Sequence, residues 1–224
     1  MSNFILTGLF SEGTTDNRFL ESLVMRTLED VAFDCKGDIE VGLEVIKIDK
    51  TGLKFDEQVL AASKTAFDKF SISFLFVHTD ADSSDDDFVF KSKIIPAINY
   101  LNIQVDSICK HIVAIVPIQM TESWMIADKE LLKSEIGIEN SDFDLGIHSN
   151  LETINDPKKV IENIIRISKE DLTKRKRNKG LNISDLYQII GQKIDLSQLE
   201  KLSSYIKFKQ SLIEKLKELN FYHK

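Results

Sequence analysis

The chain has 224 residues, of which 42% are hydrophobic, 29% charged and 8% aromatic, with three prolines and nine glycines. That length and apolar share suffice for a core without disulfide or metal staples, and they exclude disordered, collagen-like and low-complexity chains. The formal charge of −7 is unevenly held: residues 1–150 carry 13 Lys and Arg against 26 Asp and Glu, and residues 151–224 carry 16 against 10. An acidic body with a basic tail argues against a general nucleic-acid coat, yet leaves room for one basic surface beside an acidic, cation-attracting site.

The two cysteines, Cys35 and Cys109, stand 74 positions apart with no CxxC spacing, so neither a disulfide framework nor a cysteine-built zinc site is expected, and a reducing cytoplasmic setting fits. The N-terminus lacks a basic leader, and the longest apolar runs, such as Ile112 to Ile118, fall far short of the roughly 20 residues of a membrane span. No membrane partner is therefore expected.

In chain order, Phe4 to Phe10 reads as a strand, Ser11-Glu12-Gly13-Thr14-Thr15-Asp16 as a turn, and Phe19, Leu20, Leu23, Val24 and Leu28 as one face of a helix. Glu40 to Ile48 alternates like a strand and Val59 to Phe70 is amphipathic. Ile72 to Val77 is a buried strand. Asp86 or Asp87 can cap a helix reaching about Leu101, kinked by Pro96. A fourth strand, Ile112 to Val116, meets Pro117, and Thr121-Glu122-Ser123 opens a helix whose Trp124, Met125, Leu131 and Leu132 face inward.

Strands alternating with helices in this way predict βαβ units and a mostly parallel, Rossmann-like α/β sheet over residues 1–150. Residues 151–224 read as a helical extension. It begins at the Asp156-Pro157 cap, continues through helical patterns at Ile183 to Ile190 and Leu196 to Leu219, and contains a basic segment from Lys174 to Lys179.

Ligands of parallel sheets bind beyond the carboxyl ends of the strands, and the acidic residues cluster there: Glu12 after the first strand, Asp80 and Asp82 after the third, Glu122 after the fourth. Asp80 to Asp87 holds five carboxylates in eight residues, a density that a hard cation such as Mg²⁺ or solvent must relieve. An EF-hand counted from Asp80 fails at Asp85 and Lys91, and a P-loop from Gly8 to Gly13 fails because Thr14 stands where lysine is needed. A haloacid-dehalogenase-like arrangement lacks its later motifs. No serine, cysteine or threonine nucleophile has a histidine partner in sequence, and His111, His148 and His223 have no zinc spacing.

The Glu12-Gly13 turn after the first strand, paired with Asp80-Ala81-Asp82 after a later one, resembles the TOPRIM family of metal-dependent nucleic-acid enzymes. Val116 to Asp128, with its Glu122-x-Trp124-x-x-x-Asp128 block, followed by Asp156-Pro157-Lys158-Lys159, is similar to a TOPRIM-like bacterial family, domain of unknown function 4276. The resemblance covers most of the chain and implies a nuclease that cleaves phosphodiesters with Mg²⁺ or Mn²⁺. It also implies a setting in bacterial anti-phage defence and an ABC-type ATPase partner encoded nearby.

Asp80 and Asp82 would then hold the metal, with Glu12 a third ligand or proton carrier. Asp16 and Glu122 are candidates for a second metal site, or else dipole partners of their helix N-termini. Lys158, Lys174, Arg175, Lys176, Arg177 and Lys179 are the candidate grips on a nucleic-acid backbone, against the plainer reading of a solvated loop. Trp124 is expected in the core, His78 as a structural histidine, and Asp128 on another helix face than Glu122. Within 224 residues there is little space for the tyrosine domain of a topoisomerase or the template modules of a primase. The alternative of another class is a non-catalytic cation-binding or interaction protein that partners an ATPase; self-association is left open.

Overall fold

The computed structural model describes residues 3–105, 107–170 and 180–222. Four strands, β1 (Asn3–Ser11), β2 (Ile39–Val45), β3 (Phe74–His78) and β4 (Ile112–Ile115), form one all-parallel sheet in the order β2-β1-β3-β4. The helices α1 (Thr14–Ala32) and α2 (Phe55–Phe70) connect the first three strands. The first crossover steps outward from β1 to β2, and the second returns past β1 to β3. Right-handed crossovers running in opposite directions put α1 and α2 on opposite faces. This accounts for the alternation in β3: Phe74 and Phe76 join the core under α1, whereas Leu75 and Val77 join the core under α2. A strand buried on both faces must be continuously apolar, which is why β3 is legible as a short run.

The chain reverses direction between β1 and β3, so the crevice beyond their carboxyl ends is the topological switch point where ligands of such sheets bind. Register sharpens this: Ser11 pairs with His78, and His78 with Ile115, so three strands end level.

Beyond β3 the expected single helix is three segments, α3 (Asp87–Val89), a π-turn (Phe90–Ile94) and α4 (Ile95–Asn102). The Ile95 N–H bonds the Phe90 carbonyl, five residues back. The wider turn sits just before Pro96, whose ring has no N–H to give and would clash with a regular preceding turn. The helix expected from Thr121 onward is likewise divided, into α5 (Thr121–Met125) and α6 (Lys129–Ile136). Asp128 causes the break: its carboxylate accepts the Leu131 N–H and caps α6. Trp124, Met125 and Leu132 are fully buried as expected, and Leu131 only partly.

The later helices are α7 (Pro157–Ile167), α8 (Ile183–Lys193), α9 (Leu196–Leu199) and α10 (Ser203–Glu218). Asp156 caps α7 through the Lys159 N–H and Pro157 fills its first position, the expected start. The pattern from Leu196 to Leu219 splits because Glu152 takes the N–H and hydroxyl groups of Ser203 and Ser204, starting α10 afresh. Helices α8 and α10 close the core over α1. Gly191 on α8 lies so near α1 that an added Cβ would stand 2.3 Å from the Phe19 carbonyl oxygen. Trp124 stacks edge-on to Tyr205 at 5.4 Å and donates its indole N–H to Ser204 Oγ. No helix among the described residues is long and apolar enough to cross a membrane.

Candidate functional site

The first strand runs into the Glu12-Gly13 turn, and the Glu12 N–H still bonds the His78 carbonyl, extending the β1–β3 pairing one step beyond the sheet. Glu12 therefore stands beside Thr79, whose hydroxyl donates to Glu12 Oε2 at 2.5 Å. The Lys93 ammonium, from the π-turn, lies 3.1 Å from the same oxygen and 2.9 Å from Thr79 Oγ1. Burial pushes the Glu12 carboxyl up, but the Thr79 hydroxyl and the Lys93 charge outweigh it and leave the group below its ordinary value. Lys50, just past β2, donates to the carbonyls of Ser11 and Glu12 at 2.6 and 2.7 Å, oxygens that have run past the end of the sheet. It fixes the turn that presents Glu12.

Gly13 leaves room for a close approach. An added Cβ would meet Asp16 Oδ2 at 2.3 Å, because the Asp16 carboxylate folds back onto the turn and accepts a backbone hydrogen bond there. Asp16 is largely buried, with its Oδ2 4.0 Å from His78 Nδ1. Burial raises its pKa despite the opposing pull of His78.

On the third strand's end, Asp80 Oδ1 accepts the Thr121 N–H at 2.8 Å and the Thr121 hydroxyl at 3.1 Å, and lies 3.4 Å from His78 Nε2. Burial raises the Asp80 pKa, yet His78 and Thr121 together hold it below the ordinary value. His78 is wholly buried. Burial disfavours its cation, and the carboxylates of Asp80, Asp16 and Glu12 more than reverse this, so its pKa is raised. Its Nδ1 is the one buried side-chain polar atom among the described residues without a hydrogen-bond partner. Asp82 is exposed, with a pKa raised by partial burial and by the Asp80 charge.

The loops after β3 and β4 interlock. Asp82 N–H bonds the Gln119 carbonyl, Gln119 N–H bonds the Ser83 carbonyl, and both Asp82 and Gln119 adopt left-handed backbone conformations, with φ of 51° and 63°.

Glu122, in the first turn of α5, is 5% exposed and accepts a short hydrogen bond from the Tyr187 hydroxyl of α8. Burial lifts its pKa, only partly opposed by that bond. The structure thus brings Glu12, Asp80 and Asp82 to one crevice, open at Glu12 and Asp82, with Asp16, His78 and Glu122 on its buried side. Asp86 is nearly buried and paired with Lys207 at 2.8 Å rather than solvated. Lys158 and Lys159 are exposed on the first turn of α7. Lys174, Arg175, Lys176, Arg177 and Lys179 lie outside the described residues.

Sequence reasoning missed Lys50, Lys93, Thr79, Thr121 and Tyr187. Thr79 and Thr121 adjoin residues already singled out, so they were within reach. Lys93 and Tyr187 act 81 and 65 positions from their partners, with no local pattern to mark them.

The carboxylates of Glu12, Asp80 and Asp82 offer oxygen donors, which suit a hard divalent cation. No three His, Cys, Asp or Glu side chains among the described residues close on a single point. Mg²⁺ commonly takes one or two carboxylates and completes its shell with water and substrate phosphate, so the donor chemistry fits. No protein-family model, no curated protein and no solved structure matches the chain.

Proposed function

We propose that the chain is a TOPRIM-like nuclease that hydrolyses phosphodiester bonds of DNA or RNA with Mg²⁺ or Mn²⁺. The observation that supports this most is the meeting of Glu12, from the end of β1, with Asp80 and Asp82, from the end of β3, at the sheet's switch point. Glu12 and Asp82 offer accessible carboxylate oxygens. Asp80 presents its charge in an orientation fixed by Thr121, its pKa held low so that it stays ionised at neutral pH. One or two of these carboxylates would hold the ion, with water and substrate phosphate completing its shell; when bound it polarises the phosphate and lowers the pKa of a water. Glu12, also held ionised, suits a ligand or proton acceptor rather than a proton donor.

The deciding experiment is cleavage of labelled RNA and DNA, including transfer RNA and plasmid, with Mg²⁺, Mn²⁺ or chelator, beside Glu12→Gln and Asp80→Ala. Metal-dependent cleavage that falls about 100-fold or more in both variants is expected. Cleavage unchanged in both would overturn the site assignment. The exposed carboxylates of Glu12 and Asp82 would serve equally in one other reading, a non-catalytic cation-binding module that partners an ATPase. Mn²⁺ binding by calorimetry without any cleavage would point there.

A further inference from the structure

Lys93 is a cation built into a cluster of carboxylates, and its position is unusual in origin. The π-turn from Phe90 to Ile94 adds one residue to the helical turn that bears it, an uncommon feature of helices that recurs at functional sites. Lys91, on the same turn, pairs with Asp87 at the surface, whereas Lys93 reaches across the crevice to the ends of both β1 and β3. Its Nζ lies 5.5 Å from the Phe55 ring centroid, which covers one side of the ammonium. Of its three N–H donors, Glu12 Oε2 and Thr79 Oγ1 take two, and no third oxygen among the described residues is bonded to it. The side chain keeps 30% of its surface open.

A phosphodiester approaching this edge meets Glu12, Asp80 and Asp82, which repel it. Of the two lysines fixed at this edge, Lys50 donates to the backbone carbonyls of the Glu12 turn, whereas Lys93 bonds the side chains of Glu12 and Thr79 and keeps a spare donor and open access. We propose that Lys93 is a catalytic residue that contacts the scissile phosphate and stabilises the negative charge developing on its oxygens; this rests on the phosphodiester-cleaving reading above. In the step, a water oxygen bonds to phosphorus and the P–O bond to one sugar breaks. One water proton ends on the departing sugar oxygen and the other stays on the new phosphate group or passes to solvent, giving an alcohol and a phosphomonoester. Lys93 keeps its proton throughout and acts by charge and hydrogen bonding. If it were only the counter-ion of Glu12, its removal would act through that carboxylate, changing metal affinity rather than kcat at saturating Mg²⁺.

The test compares wild type, Lys93→Met and Lys93→Arg, each first checked for an unchanged melting temperature. The readouts are kcat and KM with Mg²⁺, oligonucleotide binding by anisotropy with Ca²⁺ in place of Mg²⁺, and Mn²⁺ binding by calorimetry. Lys93→Met is expected to lower kcat about 100-fold or more while KM changes little, with Lys93→Arg retaining part of the rate. Mn²⁺ binding should hold or tighten once the competing ammonium is gone. A wild type that cleaves beside a Lys93→Met variant within about threefold of it overturns the inference while the nuclease reading stands. If the wild type binds oligonucleotide without cleaving it, the nuclease reading fails. The catalytic role of Lys93 falls with it. A wild type that neither cleaves nor binds overturns both.

Discussion

The two sides of the crevice handle charge in opposite ways. On the open side, Glu12 and Asp82 face solvent, with Lys93 held against Glu12. On the buried side, Asp16, His78, Asp80 and Glu122 are largely closed off from solvent and are held by one another and by the Thr121 and Tyr187 groups bonded to them. Groups on the open side are free to exchange partners, whereas those on the buried side are tied to the packing of α5 and α8. The open side should therefore respond to substitution in activity, and the buried side in stability as well.

The strongest way to break this contrast is to move α8. Gly191→Ala drives a methyl group into the Phe19 carbonyl and should cost about 2 to 3 kcal/mol by urea denaturation, because backbone cannot yield as a flexible side chain does. As α8 shifts, the Tyr187–Glu122 bond should go with it. A variant as stable as wild type would show that the buried side does not depend on α8. Next, Asp80→Ala strips the Thr121 N–H of its acceptor and should cost about 1 to 2 kcal/mol, whereas Glu12→Gln on the open side should cost less than about 0.5 kcal/mol. Equal losses in the two variants would erase the distinction.

The remaining effect concerns Glu122 and runs the other way. Its pKa is raised in the folded chain, so folding holds its proton more tightly than the unfolded chain does. Its contribution to stability is then greatest below the ordinary carboxylate range and declines as pH rises from there through the raised value. Glu122→Gln keeps an acceptor for Tyr187 and removes the buried charge. It should stabilise the protein by about 1 kcal/mol at neutral pH and flatten that part of the pH profile, read from urea midpoints across a pH series. A loss of stability at neutral pH would show that the ionised carboxylate is supported there. Asp80 works in the opposite sense, its stabilising share present above the ordinary range and lost as pH falls through its depressed value.

Much of this was readable in the sequence for specific physical reasons. Strands such as Phe74 to His78 are buried on both faces and must be apolar throughout, and acids directly after such runs fall at the sheet's carboxyl edge by topology alone. Three features were not readable. An acid in the first turn of a helix looks the same whether it ends in solvent or, like Glu122, under a tyrosine from a helix 65 positions away. A helix expected to run on can be stopped by a carboxylate that finds a backbone amide, as Asp128 does at α6. The π-turn before Pro96, which aims Lys93, depends on how one carbonyl accommodates a proline ring, and sequence periodicity registers only a kink.

The interlocked loops at Asp82 and Gln119 bear on how a substrate would enter. Each of these residues sits in the left-handed region and each amide is bonded across to the other loop, so neither loop can lift without breaking the other's bond. In hydrogen exchange the two amides should lose protection at one common rate. These reciprocal bonds tie the two loops into one rim, which a substrate of the proposed enzyme would meet as a standing contour.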